Sequence, residues 1–139
     1  LIEYIEEEGF YGLNNLIELN LSWNNIKIIK KSYFFGLKNL HKLVLTRNLI
    51  EFIEEEGFYG LFDLIELDLS NYFIKIIKKK SFFGLENLKK LDLSSNFIKS
   101  IEGEGFYGLM SLNELDLSNN QLESLNSTIL KGFYNASIL

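Results

Sequence analysis

Leucine returns every 24 residues along this chain, at Leu16, Leu40, Leu64, Leu88 and Leu112. Two further columns keep that step: Leu19, Leu43, Leu67, Leu91 and Leu115, then Leu21, Leu45, Leu69, Leu93 and Leu117. Asn24, Asn48, Tyr72, Asn96 and Asn120 follow, with Tyr72 the single exception. Ile26, Ile50, Ile74, Ile98 and Leu122 come next, then Ile29, Ile53, Ile77, Ile101 and Leu125. Each unit closes on Phe34, Phe58, Phe82, Phe106 or Leu130, two residues before a glycine. Five units are complete, 16–39, 40–63, 64–87, 88–111 and 112–135, in one array over 1–139. Residues 1–15 read as the back of a sixth unit, and 136–139 open a seventh. A chain of this kind can fold only by stacking its units, since none buries a hydrophobic face alone.

A second period lies over the first. Residues 5–40 and 53–88 agree at 27 of 36 positions, so units alternate in a 48-residue super-repeat. One type carries IEEEGFYGL, the other IIKKSYFFGL or IIKKKSFFGL. Tandem duplication of a two-unit block, or deliberate design, produces such a pattern.

The segment LIELNLSWN at 16–24 alternates apolar and polar residues, which predicts a short strand with one face buried. Repeated at a fixed step, these strands stack in parallel about 4.8 Å apart. The chain then turns, and a recurring Asn can offer both donor and acceptor to backbone groups that have lost their sheet partners. The Ile and Phe columns fill the back of the coil, and Gly permits the tight return.

Composition removes several classes. A length of 139 residues suits one ordinary domain, and a net charge of −5 lacks the positive field that nucleic acid requires. No apolar run reaches 18 residues, so no membrane insertion is expected, and nothing reads as a leader. With no Cys, disulfide scaffolds and thiolate zinc sites are out. Proline is absent, and Ala and Val occur once each.

The pattern L-x-x-L-x-L-x-x-N-x-I-x-x-I followed by F-x-G-L resembles the typical 24-residue leucine-rich repeat of cell-surface receptors and secreted binding proteins. The resemblance runs the whole length of the chain. It implies an α/β-type repeat solenoid: a right-handed horseshoe with a concave parallel β-sheet and a convex side of loops and short 3₁₀ turns. It also implies an extracellular or cell-surface location, with a cytoplasmic adaptor as the alternative. Departures are Tyr72 in the Asn column, Leu130 in the Phe column, the missing prolines, and the absence of Cys-bearing caps. Beginning and ending mid-repeat, the chain reads as an uncapped piece of a larger array.

Stacking turns sequence period into columns of charge. One runs Glu18, Lys42, Glu66, Lys90, Glu114; another Glu3, Lys27, Glu51, Lys75, Lys99, Glu123. A convex column alternates Glu6–Glu8, Lys30 and Lys31, Glu54–Glu56, Lys78–Lys80, then Glu102 and Glu104. Exposed pairs contribute roughly 0–1 kcal/mol each, so their expected role is to penalise a stack slipped by one unit.

Catalysis finds little support: one His, no Cys, no phosphate-binding loop. The aligned Asp68, Asp92 and Asp116 could share a cation, yet L-D-L-S is common family wording, so neither metal nor cofactor is expected. At Tyr72 the ring is expected to swing outward, leaving a defect in the Asn column of Asn24, Asn48, Asn96 and Asn120. The sharper reading makes that exposed ring a ligand contact. The outward sheet residues Ile17, Trp23, His41, Val44, Arg47 and Ile65 form the candidate partner-binding patch, with Trp23 and Arg47 placed to stack. Sequons occur at Asn20, Asn126 and Asn135; Asn20 lies on the crowded sheet, which leaves Asn126 and Asn135 as possible glycosylation sites. The expected function is recognition of a protein ligand. The rival is a spacer or scaffold that self-associates end to end, favoured by the near-identical blocks.

Overall fold

A computed structural model describes residues 1–131, 133 and 136–139. The strands in chain order are β1 Glu18–Asn20, β2 Ile28–Ile29, β3 Lys42–Val44, β4 Phe52–Ile53 and β5 Glu66–Asp68. They continue as β6 Ile76–Ile77, β7 Lys90–Asp92, β8 Ser100–Ile101, β9 Glu114–Asp116 and β10 Ser137–Ile138. The alternation around Leu19 and its equivalents gives one strand per unit, and these pair in parallel as β1-β3-β5-β7-β9-β10. Register follows the 24-residue step, Leu19 opposite Leu43 and Leu91 opposite Leu115. At the last turn it shortens by one: Ser137 lies opposite Glu114 and Ile138 opposite Leu115. Two short parallel ladders, β2 with β4 and β6 with β8, run along one flank.

The rest of each unit is a run of i→i+3 turns, such as Tyr33 N–H to Lys30 O and Leu37 N–H to Phe34 O. Glycine at 36, 60, 84 and 108 takes φ of 98–109° there. At Gly60 an added Cβ would sit 2.9 Å from the Phe34 carbonyl oxygen, so a side chain would break the contact between units.

Leu, Ile and Phe columns form one continuous core, with Phe34, Phe58, Phe82 and Phe106 fully enclosed. Those rings stack face to face at 5.8–5.9 Å. Parallel strands stand only about 4.8 Å apart. Each unit is therefore a wedge, thinner at the sheet, and the sheet lines the concave side. The fifth unit departs from the columns. Leu125 is 43% exposed and Leu130 only partly buried, and the spine is completed by Phe133, 5.4 Å from Phe106.

The Asn column is bonded in both directions. Asn48 Nδ2 donates to Leu45 O of its own unit and Leu21 O of the preceding one, while its Oδ1 accepts from Ile26 N–H. Asn96 and Asn120 repeat all three bonds, and Asn24 accepts from Ile2 N–H. Tyr72 does not swing outward as its bulk suggested. The ring is 4% exposed, and its hydroxyl donates to Leu45 O, the carbonyl equivalent to the one Asn96 reaches. A phenol spans this distance by length. It has no second arm, and the Ile50 N–H lacks the bond that Ile26, Ile74 and Ile98 make.

Charges pair as the alternating columns suggested. On the sheet, Lys42 meets Glu18 at 3.7 Å and Lys90 meets Glu114 at 2.8 Å. On the convex side Lys31 meets Glu56, Lys78 meets Glu102 and Lys79 meets Glu104. Glu54 and Glu102 also accept the N–H groups of Lys31 and Lys79. Each of these convex contacts joins a lysine-type unit to the glutamate-type unit that follows it.

Candidate functional site

The open face of the sheet is built from residues alternating with the buried Leu columns. Ile17, His41 and Ile65 stand in one exposed column, and the His41 ring is held by its Nδ1 contact to Asn39 O. Val44, half-buried, takes the position that Asn20, Asp68, Asp92 and Asp116 hold elsewhere. In those four units the side-chain oxygen accepts from the serine N–H two residues on, which ends the strand. Val44 has no such oxygen. The Ser118 hydroxyl and N–H hold the Asp116 carboxyl below its ordinary range. Among the described residues no group of His, Asp or Glu is placed to hold a metal ion.

Immediately after each sheet strand, the chain passes through left-handed φ at residues 23, 47, 71, 95 and 119. Asn71 and Asn119 suit that conformation; Trp23, Arg47 and Ser95 do not, at φ 59°, 62° and 54°. Trp23 is 68% exposed, and the Arg47 guanidinium lies over it at 5.1 Å. No carboxylate pairs with Arg47 among the described residues.

The second and third units, 40–63 and 64–87, meet along a seam with fewer backbone bonds on its sheet side, although Phe73 N–H to Ile50 O and Glu56 N–H to Lys80 O still cross it. At the other interfaces the N–H groups of Leu21, Trp23, Leu69 and Asn71 donate to the next unit at 2.8–3.1 Å. Leu45 and Arg47, their equivalents, make no such bond to Asp68 and Ser70. His41 and Lys89 N–H donate to the preceding unit, whereas Ile65 N–H does not. β3 and β5 are in register only at Lys42 and Glu66, and the flank ladder is interrupted between β4 and β6. Tyr72 stands between these units in place of the amide, and burial, aided by the nearby Asp68 charge, pushes its hydroxyl pKa up. Behind it Phe58 and Phe82 keep the ordinary 5.9 Å stack, so the bonds missing at this interface are on the sheet side.

Two depressions lie on that seam. One, of about 340 Å³, is lined by His41, Val44, Thr46, Ile65 and Asp68 among others. Its neighbour, about 720 Å³, takes in Trp23, Thr46, Arg47, Asp68, Tyr72 and Phe73. Five of the six residues singled out in the sequence thus gather at one seam; Ile17 stands one unit away, exposed, and lines neither depression. Sequence reasoning missed Leu49, Phe73 and Phe97, an exposed apolar column in which the two rings stack at 6.2 Å. Their 24-residue spacing was a usable signal. Of the sequons, Asn126 is exposed and its Oδ1 accepts from Thr128 and Ile129 N–H; Asn135 lies outside the described residues. No helix among the described residues is long and apolar enough to cross a membrane.

The family model described as leucine rich repeat matches five overlapping stretches, 1–42, 24–74, 38–96, 63–122 and 86–133. Among solved structures, the chain is similar to one titled as the crystal structure of the TLR13–ssRNA13 complex, with TM-score 0.71 and 29% identity. The match covers 92% of this chain and 21% of that one, so the chain spans about a fifth of its structural neighbour. A search of curated proteins finds no match.

Proposed function

The chain belongs to the leucine-rich repeat family, and from that premise we propose that it is a non-enzymatic recognition module whose concave sheet receives a protein ligand. The observation that carries this reading is the seam, where His41, Val44, Ile65, Trp23 and Arg47 surround two adjoining depressions on an otherwise charge-paired face. Trp and Arg combine large contact area with directed polar groups, and such residues dominate interface energetics. The neighbour's title names an RNA; for this chain the net charge of −5 and the alternating columns oppose a phosphate backbone and favour protein.

A receptor-like or secreted parent follows from the same likeness, and the exposed Asn126 sequon is where a glycan would be carried in that setting. Displaying the chain against a panel of secreted proteins and receptor ectodomains tests the function. Binding should fall at least about tenfold in Trp23→Ala and Arg47→Ala, with melting curves little changed. A ligand indifferent to both substitutions would place recognition elsewhere. The rival spacer reading rests on the 27 of 36 identities between blocks, and it gains if the panel yields nothing.

A further inference from the structure

The near-identity of the two blocks makes their differences informative. Between 5–40 and 53–88, nine positions differ, and three fall together where the strand ends: Trp23, Asn24, Asn25 against Asn71, Tyr72, Phe73. Flanking IEL and IKIIKK stretches are identical. Three of the nine changes therefore fall at the edge where the larger depression lies, and one of them, Tyr72, lines it and reaches across the seam to Leu45 O.

Around that edge the unmet chemistry is specific. The exposed Arg47 presents a backbone N–H group with no partner among the described residues; the Leu45 N–H is also without one but belongs to a residue only 1% exposed. The Arg47 guanidinium adds donors and a positive charge that no carboxylate pairs among the described residues. Beside it Trp23, Leu49 and Phe73 are exposed, and Phe73 leads to Phe97. Donors and a cation meet an apolar strip at one place.

We infer that the seam between the second and third units is the subsite for an extended partner segment carrying a carboxylate next to an apolar side chain. The carboxylate sits on the Arg47 guanidinium, and an adjacent carbonyl oxygen accepts from the Arg47 N–H group. The apolar side chain lies on Leu49 and Phe73. This deepens the recognition reading and rests on it, by naming what the ligand must present.

A displayed library of random 12-residue peptides is the probe, selected on the intact chain. Enriched peptides should place Asp or Glu, or a free C-terminus, within a few residues of Phe, Trp or Leu. Their affinity should fall about tenfold or more in Arg47→Glu and in Phe73→Asn. The second variant installs the residue the first unit already carries at Asn25, so its fold is safe. Tyr72→Asn, which restores the family amide and removes a ring that lines the larger depression, should weaken binding likewise. Enriched peptides indifferent to all three variants but lost in Ile17→Asp would overturn the seam subsite and leave concave recognition standing. Failure to enrich any acidic–apolar peptide overturns the subsite directly. Full-length ligands would still answer for the broader reading.

Discussion

At position 72 a phenol does half the work of an amide. Its hydroxyl reaches Leu45 O across the interface, but it returns no acceptor to the Ile50 N–H. Tyr72→Phe removes a buried donor while Leu45 O keeps its bond from Asn48, so stability should fall by about 0.5–1.5 kcal/mol in urea unfolding at neutral pH. The pH dependence has a definite sign. Burial raises the Tyr72 pKa above its ordinary value of 10, so the fold favours the protonated ring. That contribution is complete below pH 10 and is lost as pH rises through it toward the folded-state value. Melting temperatures between pH 9 and 11.5 should decline more steeply for the native chain than for Tyr72→Phe. Equal slopes would mean the ring is solvated. Its inward placement was not legible in the residues alone, because bulk argued for an outward ring. What decided the matter was a carbonyl one unit away, at a distance the phenol spans.

Whole elements were more legible than single residues wherever periodicity carried the argument. The Leu, Ile and Phe columns enclose the core at the predicted step because each side chain's neighbour is its own equivalent one unit along. That logic fails where the equivalent is missing. Leu125 is exposed in the last turn, where the strand register is one residue short, and Phe133 takes the spine position expected of Leu130. Nor could spacing reveal that the β3–β5 contact would be poorly bonded, since both strands keep the leucines. Hydrogen exchange checks the seam: amides of Leu45, Arg47 and Ile50 should exchange at least about tenfold faster than those of Leu69, Asn71 and Ile74, their equivalents one unit on. Uniform protection would contradict a sparsely bonded seam. Across the better-joined convex pairs, Glu102 accepts the Lys79 N–H and meets Lys78, contacts that lower its pKa. Its contribution is therefore present above the ordinary carboxylate range and lost as pH falls through it. Glu102→Gln should cost under about 1 kcal/mol at pH 7 and nothing near pH 2, readable by thermal melts.

For the molecule as a whole, the super-repeat sets which lengths of array are tolerated. Deleting residues 40–63 removes one unit but brings Lys30 and Lys31 against Lys78–Lys80, and Glu18 against Glu66. Deleting 40–87 removes two units, yet Lys30 and Lys31 then face Glu102 and Glu104, and Glu18 faces Lys90. Array stability normally rises with the number of stacked units. Here the shorter protein should match or exceed the longer in melting temperature at low salt, with the gap closing above about 0.5 M NaCl as screening grows. A plain rise of stability with length at low salt would show the charge columns to be passive.

The wedge shape of each unit makes the array an arch, with the sheet on its inner curve and the stacked rings on its outer. At the seam the inner curve has fewer ties than elsewhere, while Phe58 and Phe82 bear on each other at 5.9 Å behind it. An arch so built is expected to bend first at that joint, about the rings, with the span on either side moving as a stiffer limb. A bulky ligand pressing into the curve would be met by two jaws closing about residues 63 and 64 rather than by a rigid cradle.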